Sequence, residues 1–447
     1  MQRLVVDQNT SAVSAACLMI RTTIYLEAGG MDDVQFQVTC NDLDLCLRVA
    51  NLGYLNVWTP HAVLLHEGEA TWSSVGKSQL NQQRFAIEQE QALSKWLSVL
   101  ANDPAYNSNL SLRGAGFELE AINELTWRPL SWRPLPVVLA HPAKSTQAAQ
   151  LRIIEPLTAL RDCGKIEGCI SNSLLPATTL ARYNPDVIVF QHQVDPLRLE
   201  QMQRISTLSK AFKVLELDAL TPAIPGWMTS LQQTASLVDR IIVATPAMAE
   251  ACAGLHQDIR VLETRLDSRW RNLPNVRQTF DIPRIGCAID PEQPFVQPLI
   301  IELMQALAGQ VEWVLWGDVP AYLRPLASEV HDDVHDNPDV MASLNLDIAL
   351  APQGFGQTDE GASPLHHLQY GACGYSVIGS DTADYPGDLA ITRVANSREQ
   401  WLEAIIDHLA DRHASRQQAA RLREQVVNNW VFDDAYAARW VQGWMPD

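Results

Sequence analysis

Residues 344–381 read LNLDIALAPQGFGQTDEGASPLHHLQYGACGYSVIGSD, and the order of residue types in this stretch decides the fold. LDIALAP (346–352) is a short apolar run ending at a proline, and YSVIGS (375–380) is a second such run. Between them Ser363 stands where an N-cap belongs and Pro364 at the first helical position, where its missing N–H would have no partner anyway. Gly374 supplies the turn that closes the helix and brings the next strand in close. Strand, helix and strand in that order make the crossover unit of a parallel sheet.

The same rhythm extends from this stretch towards the N-terminus. VVLA (137–140), DVIVF (186–190), FKVLEL (212–217) and RIIVAT (240–245) precede a proline-containing break at 279–283. RIGCAI (284–289), VEWVLWG (311–317) and the two runs above follow it. Short β-branched runs separated by helical stretches predict parallel sheets with crossover helices. Two such sets predict an α/β protein with two doubly wound domains in tandem, at 133–282 and 283–447. A ligand cleft is expected between them, at the carboxyl ends of the strands.

Ahead of residue 133 the pattern changes. TIYLEAGG (23–30) and NDLDLCLRVANLG (41–53) read as helices stopped by Gly29-Gly30 and Gly53, and YLNVWTP (54–60) as a strand. One long helix is predicted over 79–101, ended by Asp103-Pro104, and the Pro/Trp-rich WRPLSWRPLP (127–136) reads as a linker. Its tryptophans, like those of VEWVLWG, fit packing better than sugar stacking.

Composition excludes several functions. With 33 Lys and Arg against 52 Asp and Glu the formal charge is −19, and no basic stripe offsets it. Nucleic acid and anionic membrane surfaces are therefore excluded as partners. No stretch approaches the roughly 18 apolar residues of a spanning helix, and the first residues do not read as a signal peptide. The eight cysteines form no CxxC pair and no zinc spacing, so they are expected as reduced residues of a cytoplasmic protein.

AACLMIRTTIYLEAGGMDD (15–33) followed by NDLDLCLRVANLGYLNVWTPHAVLLHEGEAT (41–71) resembles the C-terminal half of family-2 glycosyltransferases, which have the GT-A fold. The likeness covers about residues 10 to 75 of a 1–132 segment. It implies that Asp42 sits where the family keeps the base that deprotonates the acceptor hydroxyl, and His66 where it keeps a metal ligand. The family's nucleotide-binding half, with its Asp-x-Asp, is expected before residue 1, and Asp42 and Asp44 cannot replace it. Mn²⁺ or Mg²⁺ is accordingly expected only if another chain supplies that half. On their own, Asp42 and Asp44 also read as helix-surface carboxylates, and His66 as a loop residue.

From Arg133 onward the chain resembles the family-4-like GT-B domain appended to some bacterial surface-polysaccharide glycosyltransferases. The resemblance places Glu360 on the family's first acidic position and Gln369 on the glutamate that holds the ribose. It also turns the helix that begins at Ser363 towards the donor diphosphate, and sends the last helix (429–444) back across the cleft. The departures are specific. The family's phosphate-side Lys is Ala362, its second basic position is His366, and only Arg152, which the resemblance counts among the donor-binding residues with Glu360, Ser363, His366 and Gln369, survives from a glycine-containing loop near the first strand.

From Pro325 to Thr392 the chain has no Lys or Arg and eleven Asp or Glu. A nucleoside diphosphate would meet there a helix N-terminus and His366 and His367. Those histidines read either as plain helix-face residues or as a paired-imidazole phosphate or metal site. Glu360 and Gln369 read equally as ribose ligands or as solvated helix polarity. Two functions follow. One is transfer of sugar from a nucleotide sugar to a bacterial surface glycan or a protein. The other is a non-catalytic glycosyltransferase-like subunit, or a fragment, that works with a second glycosyltransferase chain.

Overall fold

The computed structural model describes residues 5–65, 79–114, 116–121, 133–143, 147–192, 194, 196–220, 225–274, 280–290, 296–332, 334, 337–352, 365–381 and 388–447. The chain forms two compact units. One comprises Met1–Arg133, Leu175–Asn184 and Arg204–Lys210, and the other Pro134–Leu174, Pro185–Gln203 and Ala211–Asp447.

In the first unit β1 (Gln8–Thr10) pairs antiparallel with β2 (Asn56–Trp58). Helix α1 (Thr22–Glu27) runs into Gly29 and Gly30, and α2 (Asn41–Asn51) into Gly53, all three at positive φ, as the sequence predicts. The long helix α3 (Gln79–Ala101) has the predicted bounds. Asp44 of α2 is fully buried rather than on the helix surface. It accepts from Arg48 Nε at 2.8 Å, Lys95 Nζ at 2.7 Å and Trp96 Nε1 at 2.8 Å, and so pins α2 to α3. Glu88 of α3 accepts from the backbone N–H groups of Gln37, Val38 and Thr39 at 3.0, 2.9 and 2.7 Å, holding the turn before α2.

The second unit contains two six-stranded, wholly parallel sheets. The first is built from β3 (Val137–His141), β4 (Glu167–Ile170), β5 (Val187–Gln191), β6 (Phe212–Leu217), β7 (Arg240–Val243) and β8 (Ile259–Val261). Its order is β4-β3-β5-β6-β7-β8. The second uses β9 (Arg284–Ile289), β10 (Glu312–Gly317), β11 (Glu329–His331), β12 (Ile348–Ala351), β13 (Ser376–Ser380) and β14 (Thr392–Val394), in the order β11-β10-β9-β12-β13-β14. Two Rossmann-like domains are thus present, as expected. Their central strands are buried along their whole length, which is why they read as unbroken apolar runs.

Helix α4 (Leu365–Ala372) follows β12, and Gly374 (φ 75°) closes it, with Gly374 N bonded to Gly371 O at 2.8 Å and Tyr375 N to Tyr370 O at 3.0 Å. After β14 come α5 (Arg398–Ala410), α6 (Arg412–Asn429) and α7 (Asp434–Trp444). Leu422 and Val426 of α6 lie in the core of the second sheet, whereas Tyr436, Trp440 and Trp444 of α7 lie in the core of the first. The chain crosses between the domains where Leu266 N bonds Trp430 O at 2.9 Å and Phe432 N bonds Leu266 O at 2.7 Å. These backbone bonds delay the last helix, read from the sequence as 429–444, until Asp433 caps it by accepting from Tyr436 N at 2.8 Å.

Among the described residues no helix is long and apolar enough to cross a membrane. Five cysteines (Cys46, Cys169, Cys252, Cys287 and Cys373) are buried.

Candidate functional site

In an open parallel sheet, ligands bind beyond the strand carboxyl ends where the strand order reverses. In the second sheet that point lies between β9 and β12, whose ends lead to Asp290 and Pro352. Glu360 and Ser363 lie outside the described residues, as does His66. His366 and Gln369 sit on α4, one turn apart. The His366 ring stacks on Tyr370 at 5.9 Å and 7°, and Tyr370 meets the Trp316 ring edge-on at 5.7 Å. Gln369 is 2 % exposed and His367 fully buried, so neither is solvated helix polarity.

In the first sheet the reversal lies between β3 and β5. Three of the four inner strands there carry an almost wholly buried polar residue at or next to their carboxyl end: His141 on β3, Gln191 on β5 and Glu216 on β6. His141 Nδ1 lies 2.9 Å from Ser171 O, Gln191 Oε1 accepts from Ala143 N at 3.0 Å, and Glu216 Oε1 accepts from Arg152 Nε. The opposite atoms, His141 Nε2, Gln191 Nε2 and Glu216 Oε2, have no hydrogen-bond partner among the described residues. Gln191 and Glu216 are register partners and share a face; His141 stacks on Phe190 of the other face, at 5.7 Å. Burial pushes the His141 imidazole down to about 4, and so keeps it neutral at pH 7. It pushes the Glu216 carboxyl up to about 8, against the pull of Arg152.

Immediately beyond β5, His192 has φ 47°, a left-handed conformation that non-glycine residues rarely adopt. Its Nδ1 lies 3.4 Å from Asp218 Oδ1, just beyond β6, and its ring 6.3 Å from the ring of Trp227. Burial works to raise the Asp218 carboxyl, but the contact with His192 prevails and holds it below the usual carboxylate range.

Arg152 is 1 % exposed, on a π-helical stretch (Gln150–Ile154). Its guanidinium binds Glu216, donates to Leu262 O at 2.8 Å and Thr264 Oγ1 at 3.0 Å, and lies 5.5 Å from the centre of the Trp440 ring. It thus ties β6, the crossing segment and α7 together, on a different domain from His366 and Gln369. In the first unit Asp42 is half-buried near the start of α2 and accepts from Ala15 N at 3.1 Å and Leu43 N at 2.8 Å. Among the described residues no three His, Cys, Asp or Glu side chains are grouped to hold a metal. His141, Gln191, His192, Glu216 and Asp218 were not singled out in the sequence. Their signal is a polar residue ending or following an apolar run, as in VVLAH, VIVFQH and VLELD.

No family model matches the chain. An uncharacterized protein of Sinorhizobium fredii is 40 % identical over 119 residues, which are 27 % of this chain and 13 % of that protein. The chain therefore spans about an eighth of that relative's length. Among solved structures, sucrose-phosphate synthase from Thermosynechococcus elongatus superposes with a TM-score of 0.53 at 13 % identity, over 69 % of this chain and 98 % of that one. A glycosyltransferase from Rickettsia africae ESF-5 does so at 0.53 and 12 %, with the same coverage. An OtsA apo structure gives 0.50 and 12 %, again over 69 % and 98 %. At such identities the likeness is one of fold, and the fold is that of the GT-B glycosyltransferases.

Proposed function

We propose that the chain is a GT-B-type glycosyltransferase that moves a sugar from a nucleotide sugar to a hydroxyl of a glycan or protein acceptor. The observation that carries this reading is that Gln191 Nε2 and Glu216 Oε2, side by side near the carboxyl ends of β5 and β6, are buried without a hydrogen-bond partner among the described residues. A buried polar group left unpaired is costly, and a ligand whose hydroxyls both donate and accept relieves that cost. Sugars are such ligands. On this reading the donor lies at the second sheet, where His366 and Gln369 bind it together with the residues that the resemblance implies, Glu360 and Ser363. Arg152 braces the first domain through Glu216. The acceptor oxygen bonds to the anomeric carbon as the bond from that carbon to the diphosphate breaks, and the nucleoside diphosphate leaves with the electron pair.

The test is release of nucleoside diphosphate from UDP-glucose, UDP-N-acetylglucosamine, GDP-mannose and ADP-glucose. Time-dependent release from at least one is expected, lost in Gln369→Ala. A second reading, a non-catalytic subunit, is favoured by the 68-residue run from Pro325 to Thr392 that lacks Lys and Arg. Such a subunit would release nothing and bind nucleotides weakly. Ala362→Lys would then tighten that binding by about 1.5–3 kcal/mol, the worth of a charge-assisted hydrogen bond to phosphate.

A further inference from the structure

We infer that Arg265 supplies the positive charge for the donor's diphosphate, a charge that the stretch of the second sheet from Pro325 to Thr392 does not contain. The inference rests on the glycosyl-transfer reading above.

Arg265 is a half-buried cation without a counter-ion. Its Nε is buried with no hydrogen-bond partner, and no carboxylate of the described residues lies at ion-pair distance from the guanidinium. Charges removed from water are normally paired. The acidic groups whose charge it feels, Asp433 and Glu263, are engaged elsewhere. Glu263 Oε2 holds Arg439 at 3.2 Å and accepts from Tyr436 OH at 3.2 Å, and Asp433 caps α7. The Arg265 guanidinium lies on the Tyr436 ring, 3.5 Å from its centre. Stacking fixes the plane of the group and leaves its N–H edge for a ligand. The position in the fold fits a ligand role. Arg265 follows β8 at the carboxyl end of the first sheet, where ligands of such sheets bind. The next residue, Leu266, and Trp270 lie in one core with Leu368 and Tyr370 of α4, the helix to which the donor is assigned above. The cation therefore stands one residue from a segment packed with that helix, outside the run that lacks Lys and Arg.

The chemistry follows from the group. A guanidinium stays protonated at pH 7 even where burial works against its charge, as it does here. Its planar fork donates in parallel to two oxygens, which matches a phosphoryl group. As the bond from the anomeric carbon to the diphosphate breaks, the electron pair passes to the departing oxygen and negative charge grows there. Arg265 holds that charge more strongly than it holds the intact donor, which favours departure. No proton leaves the guanidinium. An unpaired, half-buried charge costs stability in the free protein, as groups kept for a ligand do. It differs in this from Arg152, whose charge is answered by Glu216.

The experiment is calorimetric titration with UDP, GDP and ADP over a series of salt concentrations, in wild type, Arg265→Met and Arg265→Lys. Methionine keeps the length of the side chain over Tyr436 and removes the charge; lysine keeps the charge and removes the fork. At least one nucleotide is expected to bind wild type. Arg265→Met should weaken it about tenfold to a hundredfold and flatten its dependence on salt, and Arg265→Lys should recover part of the loss. The urea midpoint of Arg265→Met should be unchanged or higher, because an unpaired charge has gone. Undiminished affinity in Arg265→Met overturns the assignment while leaving glycosyl transfer intact. A loss of affinity with unchanged salt dependence and a lowered urea midpoint makes Arg265 a brace, and overturns it equally. Absence of binding of all three nucleotides to wild type overturns the glycosyl-transfer reading and the role of Arg265 with it.

Discussion

At the scale of single residues, the first domain depends on groups whose partners lie far away in sequence. Arg152 and Glu216 are separated by 64 positions, and nothing in the letters around Arg152 reveals its partner. The resemblance implies a donor-binding role for Arg152, and its contacts within the described residues are Glu216, Leu262, Thr264 and Trp440. Arg152→Ala strips buried Glu216, the Leu262 carbonyl and Thr264 Oγ1 of the donor they share. It should lower unfolding stability by about 3–5 kcal/mol in urea titration. His141 gives a pH dependence. Its folded-state pKa of about 4 lies below the ordinary value of 6.5, so the unfolded chain takes up the proton first as the pH falls. The stability is therefore whole above pH 6.5 and drains away towards pH 4, by about 3 kcal/mol. In His141→Gln the urea midpoint should lose that part of its slope between pH 7 and 4.

At the scale of elements, legibility followed position in the sheet. Within the two parallel sheets, the eight strands read from the sequence are the eight inner ones, almost wholly buried and so apolar over most of their length. The four it missed, β4, β8, β11 and β14, are the four sheet edges. Their residues are largely half-buried or exposed, so no continuous apolar run marks them. Helix stops were legible because glycine at positive φ has a local cause. Helix contacts were not. A Cβ at Gly371 would stand 2.9 Å from Val426 Cγ2 and 3.0 Å from Leu422 Cγ, so Gly371→Ala must push α4 away from α6. A loss of about 1–3 kcal/mol is expected, read as a lower urea midpoint of the second unit. In the first unit, Asp44→Ala leaves Trp96 Nε1, Lys95 and Arg48 without their shared acceptor, and should cost about 3 kcal/mol. Faster amide exchange over 79–101 would reveal it. Although burial opposes ionisation of Asp44, its hydrogen bonds from Lys95, Trp96 and Arg48 hold the carboxyl below its usual range. Its contribution is therefore full above the ordinary carboxylate pKa and fades on acidification.

At the scale of the whole molecule, the two sheets share one rhythm in sequence and yet differ in strand order, β4-β3-β5-β6-β7-β8 against β11-β10-β9-β12-β13-β14. Order is set by which crossover passes which face, and apolar runs carry no record of it. The reversal points, and with them the pairing of Gln191 with Glu216, became visible only in the fold. The proposed donor site depends on the second sheet, where a diphosphate must be held in a 68-residue stretch without Lys or Arg, in a chain of formal charge −19. Calorimetric titration of the full chain with UDP-glucose, UDP-N-acetylglucosamine, GDP-mannose and ADP-glucose at low ionic strength tests that most directly. Glycosyl transfer requires saturable binding of at least one of them with a Kd well below about 1 mM, stronger than about −4 kcal/mol. A Kd at or beyond that value for all four, or no heat at all, would contradict it.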